Sequence, residues 1–204
     1  MACFRTLKGW RSRKVNPSGK RSIVFKLKDG FEDMPVELPC GQCIGCRLEY
    51  SRQWAIRCVH EAQMYDENAF ITLTFDPSLY PAQAWSLDYE FFKKFNKRLR
   101  DRVAKKFGIT IRFFMCGEYG STGNLAHFHA LIFNFGFPDR KLWQIRNGVR
   151  LYRSEFLESL WEFGFSSVGD VTFESAAYVA RYIVKKVTGD DARDHYRCYD
   201  PFKI

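Results

Sequence analysis

Apolar and polar positions along this 204-residue chain fall into a few clear periods. Phe70–Phe75, FITLTF, alternates strictly: Ile71, Leu73 and Phe75 share one face, and Thr72 and Thr74 the other. Ile109–Cys116 and Ala126–Phe133 read as two further strands, joined through a Gly-rich turn at Gly117–Asn124 into a hairpin. Helical spacing of Leu48, Ala55, Val59 and Ala62 predicts a helix over Arg47–Tyr65. A second helix is expected from an N-cap at Ser86 to Phe107, closed by Gly108, with Leu87, Phe91, Phe95, Leu99 and Val103 as its buried stripe. A short capped helix over Ser154–Phe163, a strand over Ser166–Thr172 and a helix over Glu174–Val187 with Gly189 just past its end complete the order. Strands and helices mix without sustained parallel alternation. The pattern therefore predicts an α+β fold around an antiparallel sheet.

Charge changes the picture at one end. The formal net charge is +9, and residues 1–28 carry nine basic side chains and no acid, while the rest balances at 23 basic and 23 acidic. The excess marks a polyanionic partner and locates it on residues 1–39, a Gly/Pro-punctuated basic arm with one weak hairpin, Ser22–Leu27 turning at Asp29-Gly30. In the balanced region the basic surface is expected mainly on the 86–107 helix. No apolar run approaches a membrane span, and the first residues lack the apolar core of a signal peptide. Seven cysteines, three of them Cys40, Cys43 and Cys46, then point to reduced thiols or a metal site rather than disulfides.

Three constellations could carry chemistry. His127 and His129 lie two apart on a strand, so both imidazoles face one side and make half of a metal site. Across the expected hairpin, Glu118 comes near the pair and could supply a carboxylate. On the last helix Tyr178, Tyr182 and Lys185 fall within about 60° of arc. Ala176, Val179, Ala180, Ile183 and Val187 suffice for that helix's core stripe, which leaves two phenols and an ammonium for nucleophilic and charge-stabilising roles. Each constellation alone also reads as packing or solvated surface. Together they supply what phosphodiester cleavage needs: a metal, a nucleophile and positive charge.

FITLTF, the HFHALIF strand and the YVARYIVKK helix stand in the order of the three motifs of HUH rolling-circle replication initiators, two-tyrosine type. With PCGQCIGCR, WAIRCVHEAQMY and CGEYG added, residues 39–189 resemble the replication initiators of gokushovirus-type Microviridae. The resemblance implies an RRM-like, ferredoxin-like core over residues 47–189, between an arm at 1–46 and a polar tail at 190–204. It implies Mg²⁺ or Mn²⁺ on His127, His129 and Glu118, Tyr178 and Tyr182 as nucleophiles, and Lys185 as auxiliary cation. The implied substrate is single-stranded origin DNA, nicked and rejoined through a 5′-phosphotyrosine in the host bacterial cytoplasm. The chain carries no Walker-type phosphate loop, so a host helicase and polymerase are the implied partners. Relatives are expected to continue beyond the tyrosine helix, past the point where this chain stops at Ile204.

Two readings compete with this one. A non-enzymatic single-strand binder would use an RRM-like sheet with exposed aromatics. A packaging protein would spread its positive charge more widely. The cysteine cluster stays open between a zinc site of Cys3, Cys40, Cys43 and Cys46 and three reduced thiols in a tight loop. Thr72, Thr74 and Asp76 share a face and could support either a metal site or only the sheet.

Overall fold

The computed structural model describes residues 3–120 and 125–185, with side chains as far as Tyr182. The chain divides into two compact units, Met1–Tyr50 and Ser51–Ile204.

In the first unit, β1 (Leu7–Val15), β2 (Arg21–Val24) and β3 (Gly30–Leu38) form an antiparallel sheet in the order β2-β1-β3. Where the sequence suggested a basic arm with one hairpin, the structure has a sheet of three strands. Its arginines explain why. The guanidinium of Arg21 lies 4.9 Å from the Phe31 ring and donates to the carbonyls of Ser12 and Arg13. Arg13 donates to the carbonyl of Gly30 at 2.8 Å. Part of the charge excess therefore holds the sheet together. Glycine is required at Gly30, where a Cβ would stand 2.5 Å from that of Trp10.

Helix α1 (Ile44–Ala62) crosses the division. The second unit then runs β4 (Asn68–Phe75), α2 (Pro81–Ala84), α3 (Tyr89–Phe107), β5 (Arg112–Tyr119), β6 (Ala126–Phe133), β7 (Lys141–Arg146), β8 (Val149–Arg153), α4 (Glu155–Glu158), β9 (Gly164–Gly169) and α5 (Phe173–Lys185). Its six strands order as β5-β6-β4-β9-β8-β7, with every pair antiparallel. Four adjacent strands, β9-β4-β6-β5, follow the split β-α-β arrangement of ferredoxin-like folds. The predicted α+β class with an antiparallel sheet is what the structure has.

Strand β4 shows how the pattern selects the layers. Ala69, Ile71, Leu73 and Phe75 are wholly buried against Phe92, Phe95, Leu99 and Val103 of α3, while Phe70, Thr72 and Thr74 face the other way. Phe75 and Phe128 meet Trp161 with ring centroids 5.1 and 6.0 Å apart. Each fully buried ring of this kind contributes about 1.5–3 kcal/mol of transfer energy, so most of the aromatic content is core rather than platform. Helix α3 starts two residues later than expected, capped by Asp88 rather than Ser86, because the Asp88 carboxylate accepts from Glu90 N–H. Its apolar stripe lies against the face of the sheet opposite the histidines. The basic side chains of α3 therefore point to solvent on the side of the sheet away from the histidines.

Two further differences matter. The expected helix over 154–163 is a single turn, α4: Ser154 caps it, but Trp161 then turns inward and donates its Nε1–H to the Thr74 carbonyl at 3.1 Å. The β7–β8 hairpin has no counterpart among the elements expected from the sequence. Gly189 lies outside the described residues.

Candidate functional site

Strand pairing builds the site. On β6, His127 stands opposite Thr74 of β4 and Glu118 of β5; His129 stands opposite Thr72 and Cys116. Residues directly opposite share a face, so both histidines, both threonines and Glu118 project to one side. Each threonine hydroxyl sits against one ring: Thr74 Oγ1 is 2.8 Å from His127 Nδ1, and Thr72 Oγ1 is 3.0 Å from His129 Nδ1. These contacts fix both ring orientations and leave Nε2 of each imidazole as the working nitrogen. The ring of Phe70 stacks on His129 at 5.7 Å.

Glu118 leans diagonally toward the farther histidine. Its Oε1 lies 2.9 Å from His129 Nε2, while Oε2 is buried with no hydrogen-bond partner. Helix α5 covers this end of the face: Ala176 and Val179 pack with Cys116, Leu131 and Phe133. That packing turns Tyr178 toward the carboxylate, and its hydroxyl donates to Glu118 Oε1 at 2.5 Å. The Tyr182 ring meets Tyr178 edge-on at 4.9 Å. The structure thus brings His129, Glu118 and both tyrosines together. His127 shares their face but is not drawn into a close ligand set with them. The side chain of Lys185 lies outside the described residues.

Protonation follows from these contacts. Burial pushes the Glu118 carboxyl up, but hydrogen bonds from His129, Tyr178 and Tyr182 outweigh it and hold the group below its ordinary value. Burial, then the neighbouring His129, lowers His127, so its imidazole is neutral at pH 7. Burial and the bond to Glu118 raise Tyr178, and burial, then Glu118, raises Tyr182. Both phenols keep their protons until something accepts them.

Asp76 belongs to a turn rather than to the site: its Oδ1 accepts from Ser78 N–H at 2.9 Å and from the Ser78 hydroxyl. Gly120 was missed by sequence reasoning. A Cβ there would stand 2.7 Å from His127 Nε2, so glycine keeps space in front of that nitrogen. Only the Gly-rich composition of the turn hinted at it.

The second cluster lies wholly in the first unit. The sulfurs of Cys3, Cys40, Cys43 and Cys46 all lie within 4.8 Å of one another, a group that could hold a metal such as zinc. Among the described residues it is the set of this kind; His127, His129 and Glu118 do not meet the same closeness. Leu7 pairs with Leu38, so Cys3 and Cys40 flank the same end of the β1–β3 ladder. Hydrogen bonds from the N–H groups of Cys46 and Phe4 pull the Cys43 thiol down to about 6, whereas burial pushes Cys46 up to about 12.

Residues 68–187, which hold β4, the His pair, Glu118 and both tyrosines, match the family described as replication-associated protein ORF2. The chain belongs to that family. Among curated relatives, it is 37% identical over 199 residues to the replication-associated protein VP4 of Bdellovibrio phage phiMH2K, covering 96% of this chain and 61% of the relative. Identity to the replication-associated protein ORF4 of Chlamydia phage 1 is 36%, over 76% of this chain and 40% of the relative. For the replication-associated protein ORF2 of Spiroplasma virus 4 it is 32%, over 74% and 48%. The chain thus spans between two fifths and three fifths of these relatives' lengths. No solved structure matches it. No helix among the described residues is long and apolar enough to cross a membrane.

Proposed function

We propose that this chain is the nicking and joining module of a phage replication initiator, acting on single-stranded DNA through a phosphotyrosine. The observation that carries the reading is the relay Tyr178–Glu118–His129, with Tyr178 Oη 2.5 Å and His129 Nε2 2.9 Å from one carboxylate oxygen. Tyr178 is a protonated phenol hydrogen-bonded to an ionised acceptor. As its oxygen attacks the phosphorus, the proton passes to Glu118 Oε1. The P–O3′ bond breaks, and the 3′ oxygen leaves with the bonding pair and takes up a proton. Tyr182, in ring contact with Tyr178, is the second nucleophile, and Lys185 the auxiliary cation.

A divalent ion, Mg²⁺ or Mn²⁺, fits here in place of the hydrogen bond between His129 Nε2 and Glu118, because that nitrogen must give up its proton to bind a metal. Glu118 Oε2 is an orphaned buried acceptor, both Nδ1 atoms are already engaged, and Gly120 leaves room at His127 Nε2. His127, His129 and Glu118 would hold the ion, which when bound polarises the phosphate oxygens. The threonine hydroxyls keep both rings in place. A purely binding role finds less support. An RRM-type platform stacks two or three bases on the sheet. On this face the row His127–Thr74–Phe165 ends in one ring, Phe165, 54% exposed.

The test is a denaturant-resistant adduct with single-stranded DNA containing the phage origin, in Mn²⁺. Wild type should form it, and Tyr178→Phe/Tyr182→Phe should not. An undiminished adduct in that variant, or in His127→Ala/His129→Ala, would overturn the reading.

For the cysteines, the proposal is one tetrahedral zinc. Zinc–thiolate bonds of about 2.3 Å give sulfur–sulfur edges of about 3.8 Å. The Cys3 and Cys43 sulfurs are 3.8 Å apart. The Cys-x2-Cys-x2-Cys spacing also serves four-iron clusters, but these put each thiolate on a different iron and spread the sulfurs wider. N–H groups of Cys40, Cys43 and Cys46 point at the sulfurs of Cys3, Cys40 and Cys43, support suited to thiolates. Elemental analysis should find one zinc per chain, absent from Cys43→Ser. A wild type without zinc, or iron with acid-labile sulfide, would sink the assignment.

A further inference from the structure

The β7–β8 ribbon sits between β6 and β9 in sequence and extends the sheet at one edge. Asn147 (φ 50°) and Gly148 (φ 78°) close it, the two left-handed residues that a tight hairpin turn requires. Residues 140–153 contain Arg140, Lys141, Arg146, Arg150 and Arg153, and no acid.

The charges divide by position. Toward the base of the ribbon, Arg140, Lys141 and Arg153 pair with Asp170, Glu155 and Glu158 of neighbouring elements. Arg146 and Arg150, either side of the turn, have no partner among the described residues. The apolar side chains are equally telling. Ile145 pairs with Arg150 and Arg146 with Val149, so successive rungs face opposite sides. Ile145 is 62% exposed on one side and Val149 57% on the other, with Leu142 and Trp143 also more than half exposed. Charge alone would serve to protect a sheet edge from pairing, but edge protection does not call for exposed Trp, Ile and Leu.

A flat partner could cover one face of such a ribbon. A groove covers both. The major groove of DNA is about 12 Å wide and 8.5 Å deep and admits a two-stranded ribbon. The three outer rungs, Gln144–Leu151, Ile145–Arg150 and Arg146–Val149, reach about 10 Å at the usual rise per residue. Their unpaired guanidiniums match phosphate and the guanine edge, and their apolar groups match thymine methyls.

We propose that the β7–β8 ribbon docks in the major groove of double-stranded DNA flanking the single strand on which the site acts. The proposal rests on the DNA-processing reading above. Its test is independent of cleavage.

The full chain is titrated, without added Mg²⁺ or Mn²⁺, against fluorescein-labelled 20-base-pair duplexes of randomised sequence and against the single strand of the same pool. Arg146→Glu/Arg150→Glu should weaken duplex binding at least tenfold. It should also reduce the salt slope of duplex binding by about two, one for each phosphate no longer neutralised. Single-strand binding and adduct formation on single-stranded substrate should stay within twofold. Unchanged duplex affinity, or an equal fall on both probes, overturns the proposal. If the double variant melts below wild type, Arg146→Ala provides the same comparison, because that exposed side chain bonds to nothing among the described residues. A wild type that forms no adduct yet shows this duplex selectivity removes the nicking reading and leaves the ribbon standing.

Discussion

Thr74→Val isolates what a threonine does for the site. Valine keeps the shape of the side chain and removes the hydroxyl 2.8 Å from His127 Nδ1. The strand itself stays tied, because Trp161 still donates to the Thr74 carbonyl and the β4–β6 ladder is untouched. The folding cost is that of one unpaired nitrogen, about 1–3 kcal/mol if fully buried. His127 is half-buried, so about 1 kcal/mol is expected, a fall of a few degrees in melting temperature. On the proposed function, in which His127 helps to hold a cation, the larger effect falls on that cation. Removing a hydrogen-bond partner of a metal-binding histidine weakens metal affinity about 10- to 100-fold. Initial rates of adduct formation across a Mn²⁺ titration should therefore show half-saturation displaced upward by that factor, with the plateau within about threefold of wild type. Thr74→Ser, which restores the hydroxyl, should return the curve most of the way. A lowered plateau with unchanged half-saturation, or serine behaving no better than valine, would refute the claim that Thr74 acts through His127.

Asp139 gives a prediction about pH. Burial pushes its carboxyl up, but Phe156 N–H and the Ser154 hydroxyl outweigh this and hold it below the ordinary value. Its contribution is complete above about pH 5 and fades as acid protonates the folded form. Asp139→Ala should cost about 1–2 kcal/mol at pH 7, and denaturant melts should show less loss than wild type between pH 4 and 2. A parallel acid profile would count against it. Gly164→Ala should destabilise by several kcal/mol: φ is 154°, and a Cβ would stand 2.4–2.8 Å from the backbone of Thr74, Phe75 and Asp76. An unshifted melt would show that this corner relaxes.

What the sequence made legible is what periodicity can carry. Alternation in FITLTF placed Thr72 and Thr74 opposite the core, and spacing two put His127 and His129 on one face. Helical spacing set Tyr178 beside Tyr182. Three things escaped. The lean of Glu118 toward His129 rather than His127, its partner in register, depends on side-chain packing under α5. The face taken by α3 follows from the apolar side of β4, which the alternation already marks but which says nothing until the helix is known to pack there. The β7–β8 ribbon is exposed on both faces, so it has no period-two burial signal; Asn147-Gly148 was its one clear mark. The N-terminal sheet also decides how its charge can be tested: residues 1–28 hold β1 and β2, so charge reversals at exposed positions such as Lys20 and Lys28 probe DNA contact more cleanly than a deletion would.

The central position of β4 sets an order of events during synthesis. It is made before both of its neighbours, β6 from Ala126 and β9 from Gly164. At about 5–20 residues per second, roughly 3–10 seconds pass before β6 follows it. Through that interval AFITLTF, uncharged and rich in β-formers, has no strand to pair with. Helix α3 is complete earlier and is local, so its apolar stripe can shield Ile71, Leu73 and Phe75 while the strand waits. Seen this way, the basic helix behind the sheet serves as a temporary cover for the nascent chain, and its charged outer surface keeps the waiting pair in solution.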